Sequence, residues 1–245
     1  MSDWKDTAVA LDHVSKAFGK KQVLQDITLS VGRQEALCIV GRSGTGKSVT
    51  LKLIIALIKP EAGHIWIDGE DITQLEGQEL SRVRQKMGFL FQNAALFDFL
   101  NLHDNLALPL RRLTHKSEQE IEEIIDRVLR QVGLSGDRHK MPLELSGGMR
   151  KRAGLARALV LEPQILLVDE PSSGLDRITA SEIDDLLIEQ KRHTTMIVVT
   201  HDVHGGRRVG DRFAVLDQGR LVALGKPQDL EHHQNETVRK LVVED

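Results

Sequence analysis

Cysteine is almost absent. Cys38 stands alone in 245 residues, so no disulfide framework is available and the fold has to rest on its apolar core. Cys38 sits inside an apolar run, where a small buried hydrophobe is the plain reading, and the setting is reducing or indifferent. Long hydrophobic runs are missing too. The longest, Leu53 to Ile58, falls far short of the roughly 20 residues a spanning helix requires, and the first residues carry no signal-peptide pattern. The expectation is a soluble, unexported chain with no direct membrane insertion, which meets any membrane through a partner. Positive charge is not in excess: a net charge of −3 with 28% charged residues argues against a nucleic-acid binder working by phosphate neutralisation. The pairs Arg111-Arg112 and Arg207-Arg208 read as solvated helix faces. Internal repeats, low-complexity tracts and flexible linkers are absent as well. The length suits one large domain or two small lobes, burying roughly 70 to 75% of the unfolded surface.

What is present is a phosphate-binding loop. Gly41, Arg42, Ser43, Gly44, Thr45, Gly46, Lys47 and Ser48 fit the G-x-x-x-x-G-K-[ST] pattern. The buried-strand run Ala36 to Val40 precedes it, and Val49 to Ile58, apolar at helical spacing, follows. Glycines let the backbone curl around a polyphosphate, with successive N–H groups and the positive end of the helix facing the anion. Lys47 adds a full positive charge, and the Ser48 hydroxyl suits the magnesium ion that accompanies a nucleotide.

Along the chain, Val9 to Val14 and Val23 to Val31 read as strands about the turn Gly19-Lys20-Lys21. Phe18, just before that turn, is either core or a stacking surface for an adenine ring. His64 to Asp68 and Met87 to Phe91 are further strands. Gln92, at the carboxyl end of the latter, is either a ligand-side amide or an ordinary loop residue. The apolar stretch Asn93 to Arg112, with Pro109 closing a short helical pattern, is either packed core or the wall of a partner groove. Ser117 to Glu120 is a capping box, and Ile121, Ile124, Ile125, Val128, Leu129 and Val132 share one face of a helix closed by Gly133. These elements predict an all-helical lobe from about Phe97 to Met141. Ser146, Gly147 and Gly148 open another helix, running to about Leu161, as a second anion site or a plain cap. Ile165 to Glu170 is a strand ending in two carboxylates, a costly placement unless a metal or water uses them. Asp169 is the candidate metal ligand and Glu170 the candidate general base. The helix Thr179 to Arg192 and the strand Met196 to Thr200 follow. His201, at that strand's end, is either a γ-phosphate contact or a structural histidine, and with His204 makes a poor metal site. Phe213 to Leu216 and Leu221 to Leu224 form a hairpin, and a charged tail of one or two short helices ends the chain.

Taken in order, these motifs resemble the ATP-binding-cassette family over nearly the whole chain. Gly41 to Ser48 matches Walker A, Gln92 the Q-loop, Leu145 to Met149 the signature, and Ile165 to Glu170 Walker B. Ser172 to Asp176 matches the D-loop, His201 the switch histidine and Phe18 the aromatic A-loop. The resemblance implies a P-loop NTPase of the α/β class: a RecA-like core with an antiparallel β subdomain and an inserted α-helical subdomain. The lobes would be residues 1–96 with 160–226, about 97–159, and a helical tail at 227–245. It implies ATP and Mg2+ as ligands, with Val49 and Asp176 joining the nucleotide contacts and Ser48, Gln92 and Asp169 serving the metal. It also implies a homodimer in which Ser146, Gly147 and Gly148 close on ATP held by the other subunit, beneath integral membrane permease subunits. Two departures stand out: Met149 replaces the family's common Gln, and the D-loop reads Ser-Ser-Gly-Leu-Asp. Neither removes a phosphate, metal or base ligand, so an active ATPase is expected.

Within the family, Phe91 to Asp98 and Asn105 through Pro109-Leu110-Arg111, with Gly148-Met149, resemble the ATPases of bacterial MCE-associated, Mla-type phospholipid transporters. That resemblance implies an MCE-domain lipid-binding partner and a peripheral place on the cytoplasmic face of the inner membrane. The alternatives are the ATPase of an importer for a small polar solute such as an amino acid, a soluble cassette acting on ribosomes or DNA, and a P-loop kinase. The soluble cassette usually carries two cassettes in one chain or a coiled-coil insertion, and the kinase leaves Leu145 to Met149 unexplained.

Overall fold

The computed structural model describes residues 4–243; the outermost positions of the predicted lobes, 1–3 and 244–245, lie outside the described residues. A 3-10 turn, Trp4–Asp6, leads into β1 (Thr7–Phe18) and β2 (Lys21–Gly32), then β3 (Ala36–Val40) and α1 (Lys47–Ile54). There follow β4 (Ala62–Ile67), β5 (Glu70–Asp71), α2 (Gly77–Arg84), β6 (Met87–Leu90), α3 (Leu102–Leu113), α4 (Glu118–Gln131) and α5 (Gly147–Leu159). The chain continues through β7 (Ile165–Asp169), α6 (Arg177–Lys191), β8 (Thr195–Thr200), α7 (Val203–Val209), β9 (Arg212–Asp217), β10 (Arg220–Gly225), α8 (Pro227–Leu230) and α9 (Glu236–Val243).

Among the described residues the strands form two sheets. One is antiparallel, in the order β2-β1-β4-β5; the other runs β10-β9-β3-β8-β7-β6 and is parallel except for β10. Every residue of β3, β7 and β8 is buried, as expected where layers cover both faces of a parallel sheet and apolar runs replace alternation. The faces still divide by parity. Cys38, Val40, Leu166 and Val168 join the core shared with α3 to α7, while Leu37, Ile39, Ile165 and Leu167 join the core shared with α1 and the antiparallel sheet. Burial pushes the Cys38 thiol up to about 12, so it is an inert packing group. Register aligns the strand ends: Val40 pairs with Thr200, Val168 with Leu90, and Asp169 with Val199. The residues after β3, β6, β7 and β8 therefore emerge at one edge.

Helix α4 keeps the predicted capping box, with Ser117 Oγ accepting from Glu120 N and Glu120 Oε2 accepting from Ser117 N. Its predicted apolar face is buried throughout. Elsewhere the structure departs from expectation. Helix α1 stops at Ile54 rather than Ile58, because Ala56 takes a left-handed φ of 54°; the buried Ile55 prolongs the apolar spacing past the last turn. Pro109 lies inside α3 rather than closing it. The apolar face continues beyond it to the buried Leu110, and the side chain of the wholly buried Asn105 donates to the carbonyls of Phe97, Leu100 and Asn101, fixing the chain that enters the helix. The stretch Asn93 to Arg112 is accordingly divided: Ala94, Leu102, Leu106, Ala107 and Leu110 are core, while Phe99 is exposed.

Helices α2 and α7 have no counterpart in the sequence reading. Helix α2 is almost wholly polar and buries Val83 alone. Helix α7 needs glycine for close approach: a Cβ on Gly205 would lie 2.9 Å from Asp202 Oδ2 and 3.0 Å from Asp184 Oδ2. Nor is Arg207-Arg208 a solvated pair. Arg207 donates to Glu231 Oε1 and to the Val242 carbonyl, holding α9 against α7, and Arg208 donates to Asp184 and Asp185 on α6. Arg111-Arg112, by contrast, lies on an exposed helix face as expected, where Arg111 pairs with Glu118 across the α3–α4 connection. The tail is no loose charged end, since α9 buries Val238 and Val242.

Burial raises the Asp184 carboxyl from 3.8 to about 6, against the opposing pull of the Arg208 guanidinium and with help from the Asp202 charge. A carboxyl with higher proton affinity folded than unfolded contributes stability that is full below the unfolded value and is lost as pH rises through about 6. Wild type relative to Asp184→Asn should therefore lose about 1 kcal/mol between pH 5 and 7.5. Urea unfolding of both proteins at the two pH values measures this, and a pH-independent gap would remove the shift.

Candidate functional site

The loop after β3 is shaped by close approach. A Cβ on Gly41 would meet the Leu216 carbonyl at 2.3 Å, and one on Gly46, whose φ is 102°, would meet Leu24 Cδ2 at 2.5 Å. Gly46 stands at the N-cap of α1 without a side-chain cap, which leaves the first N–H groups of that helix for an anion. Thr45 Oγ1 donates to the Arg42 carbonyl at 2.9 Å, closing the curl. Lys47, only 6% exposed, folds back so that Nζ donates to the Gly41 carbonyl at 2.9 Å and the Arg42 carbonyl at 3.2 Å. Burial lowers its proton affinity, while the charges of Glu170 and Asp169 work in the opposite sense.

Across from the loop stand the ends of β7 and β8. Ser48 Oγ donates to Asp169 Oδ1 at 2.8 Å. Burial raises the Asp169 carboxyl; the Ser48 hydrogen bond opposes this and the Glu170 charge adds to it. Glu170 follows with a left-handed φ of 48°, its N–H donating to the Val199 carbonyl at 2.8 Å. Its Oε1 lies 3.8 Å from Lys47 Nζ, and its Oε2 is 2.6 Å from His201 Nδ1 and accepts from His201 N at 3.3 Å. The imidazole itself is exposed.

Lys47, Ser48, Glu170 and His201 share one cavity of about 630 Å³, whose wall also includes Ser43, Gly44, Gly46, Val49, Gln92 and Phe18; Asp169 is reached through its hydrogen bond with Ser48. Phe18 is half exposed on its rim, with Lys16 Nζ 5.3 Å from the ring centroid, so it is not a core residue. Lys21 and Val23 complete that rim. Gln92 is exposed, Nε2 reaching only within 3.5 Å of Ser173 Oγ. Gly41 and Arg42 line a smaller cavity behind the loop, with His201 and Lys240 of α9. Ser48 and Asp169, with Gln92 beside them, form an all-oxygen set with one carboxylate. That chemistry fits magnesium, which keeps several waters; no cluster of three His, Cys, Asp or Glu occurs among the described residues.

The predicted signature residues and Asp176 lie away from this cavity. Ser146 Oγ accepts from Met149 N at 3.2 Å as the cap of α5, with Gly147 and Gly148 in the helix's first turn. Asp176 caps α6, accepting from Thr179 Oγ1, Thr179 N and Ile178 N, bonds that hold its carboxyl below the ordinary range. One buried residue near the centre escaped the sequence reading. Lys151 Nζ donates to the carbonyls of Gln92 and Glu170, and its signal was a lysine at the buried spacing of α5, three after Gly148.

Residues 24–173, spanning every motif from the loop to the β7 carboxylates, match the family model described as ABC transporter. The chain belongs to the ABC transporter ATP-binding family. This ABC cassette is an ATPase, with a mixed α/β P-loop fold. It is 45% identical over 237 residues to the "Probable ribonucleotide transport ATP-binding protein mkl" of Mycobacterium leprae, covering 96% of this chain and 68% of that one. It is 40% identical over 225 residues to a methionine import ATP-binding protein of Pseudomonas savastanoi, covering 91% and 67%. The chain thus spans about two thirds of the length of these curated relatives. Among solved structures it resembles a dimeric, post-hydrolysis ATP-binding cassette bound to ADP and Pi, at 33% identity and a TM-score of 0.82, covering 89% and 98%. It also resembles cbiO1 of Clostridium perfringens, part of an ABC transporter complex, at 28% identity and a TM-score of 0.84, covering 96% and 94%.

Proposed function

We propose that this ABC ATPase subunit binds ATP in the cavity between the glycine loop and the β7–β8 edge, and drives phospholipid movement with an MCE-type system. One observation carries the catalytic part: the convergence of Lys47, Ser48, Asp169, Glu170 and His201 at the aligned ends of β3, β7 and β8. Lys47, with the loop and α1 N–H groups, would bind phosphate oxygens, and Phe18 on the rim would stack on the adenine. Ser48, Asp169 and Gln92 would hold magnesium, which when bound supplies charge neutralisation at the phosphates. Glu170 takes the proton of the attacking water, and His201, hydrogen-bonded to its carboxylate, orients that carboxylate toward the γ-phosphate side. The product would be ADP and phosphate.

Ser146, Gly147, Gly148 and Asp176 lie outside the chain's own cavity, which favours a homodimer whose signature residues close on the partner's ATP. In this reading the nucleotide lobe comprises 1–96 and 160–226, the helical lobe about 97–159, and the tail 227–245. Among the described residues no helix is long and apolar enough to cross a membrane. That is consistent with a peripheral subunit docked on permease subunits at the cytoplasmic face of the inner membrane. The lipid assignment rests on the segment Phe91 to Arg111 and on Gly148-Met149. A small-solute importer is the second reading, favoured by the 40% identity to a methionine import ATPase. Purification from membranes in mild detergent separates the two. Permease, MCE-domain protein and extractable phospholipid are expected together; recovery with a solute-binding protein's permease would replace lipid by solute.

A further inference from the structure

Lys151 is a buried cation with no part in the chemistry proposed above. It lies on the face of α5 that also buries Gly148, Gly154 and Leu155, and only 6% of it is exposed. Its Nζ donates to the Gln92 carbonyl at 2.6 Å and to the Glu170 carbonyl at 2.7 Å. Those two carbonyls belong to the segments that leave β6 and β7, the residues bearing the candidate metal amide and the candidate base.

Two features make this more than cavity filling. Glu170 holds a left-handed φ of 48°, which L-residues disfavour and keep only where the surroundings over-determine it. Its N–H is fixed by the Val199 carbonyl of β8, and its carbonyl accepts from Lys151 Nζ at 2.7 Å and, at a longer 3.3 Å, from the Ser173 N–H of its own loop. The peptide groups on both sides of the carboxylate-bearing carbon are therefore clamped, one from the sheet and one from α5. The second feature is the choice of group: burial disfavours the ammonium, and an apolar side chain would fill the same space without that desolvation.

We propose that Lys151 is a positioning residue for ATP hydrolysis, which ties the Gln92 segment and the left-handed Glu170 backbone to the signature helix. The Glu170 carboxylate and the Gln92 amide then take their working positions only when α5 is docked against both. Displacement of α5 releases them, so the state of the signature helix reaches the chain's own base through a single ammonium. This rests on the reading of Glu170 as base, and the test separates the two.

Wild type, Lys151→Met, Lys151→Gln and Glu170→Gln are compared in the copurified complex for kcat, KM for ATP, ADP affinity, melting temperature and amide exchange. Lys151→Met should lower kcat roughly 10- to 100-fold, the scale of a small misplacement of a catalytic group. KM and ADP affinity should stay within about twofold, because Lys151 does not line the nucleotide cavity. Amide exchange should quicken at residues 91–95 and 170–174. Lys151→Gln, whose amide still donates, should recover part of the lost kcat. An inactive Glu170→Gln beside a fully active Lys151→Met overturns this proposal alone, whereas a fully active Glu170→Gln overturns the base assignment and this proposal with it. Equal falls in kcat, nucleotide affinity and melting temperature for both lysine variants would reduce Lys151 to a structural residue. Should Lys151→Met not fold, Lys151→Gln decides by itself: an unchanged kcat in that folded variant overturns the proposal.

Discussion

Replacement of Glu170 by Gln should leave a folded cassette that binds ATP and scarcely turns it over. The expected loss in kcat is roughly 10² to 10⁴, about 3 to 5 kcal/mol of barrier, the range for removing a positioned general base. Geometry makes the loss selective. The carboxylate faces the cavity, 3.8 Å from the Lys47 ammonium and 2.6 Å from the His201 ring. Gln keeps the shape and can still meet the imidazole, but it cannot take a proton from water. Lys47 keeps both loop carbonyls as partners, so the phosphate cradle survives. Steady-state ATPase assays paired with ATP-affinity measurements supply the check. Hydrolysis near the wild-type rate would discard Glu170 as base, and a parallel loss of binding would show that it shapes the loop instead. With turnover blocked, the ATP-loaded homodimer should also persist in gel filtration.

Lys47→Ala should abolish nucleotide binding, with an affinity loss of at least roughly 100-fold, about 3 kcal/mol. Its ammonium is seated between the loop carbonyls and the Glu170 carboxylate. Without it, Asp169 and Glu170 would face the incoming phosphates with no positive charge between them, and like charge at close range in a partly buried site is costly. The loop's own N–H groups remain, but they act against that repulsion. Calorimetric titration with ATP measures the effect, and unchanged affinity would end the phosphate-loop assignment.

Legibility in the sequence followed how local the determining physics was. Strands β3, β7 and β8 were readable because burial on both faces demands unbroken apolar runs, and α4 because its capping box and apolar face lie within one segment. The glycine loop and the Asp169-Glu170 pair were readable for the same reason: each is contiguous, and each breaks a rule that only a ligand makes worthwhile. Helix α7 was not, since its two glycines argue against a helix locally and are needed only because Asp184, Asp202 and Phe213 crowd against it. Arg207 and Arg208 read as solvated because their partners, Glu231, Val242, Asp184 and Asp185, lie more than twenty residues away. Phe18 could not be decided from its neighbours: exposure on a cavity rim is a property of the whole assembly. Lys151 carried a readable signal, a charge at a buried helical spacing, but its two carbonyl partners come from segments 59 and 19 residues earlier and later.

The alignment of strand ends sets how the gene can tolerate change in length. A strand holds its side chains alternately to one face and the other, so one codon inserted within β7 would exchange its two packed faces and carry Asp169 and Glu170 out of step with Ser48 and His201. The same insertion between β4 and its neighbours, or in the exposed connection between α3 and α4, would be taken up by a longer loop. Random single-codon insertions selected for ATPase activity should therefore be depleted over residues 36–40, 165–170 and 195–201, and recovered freely around residues 115–117.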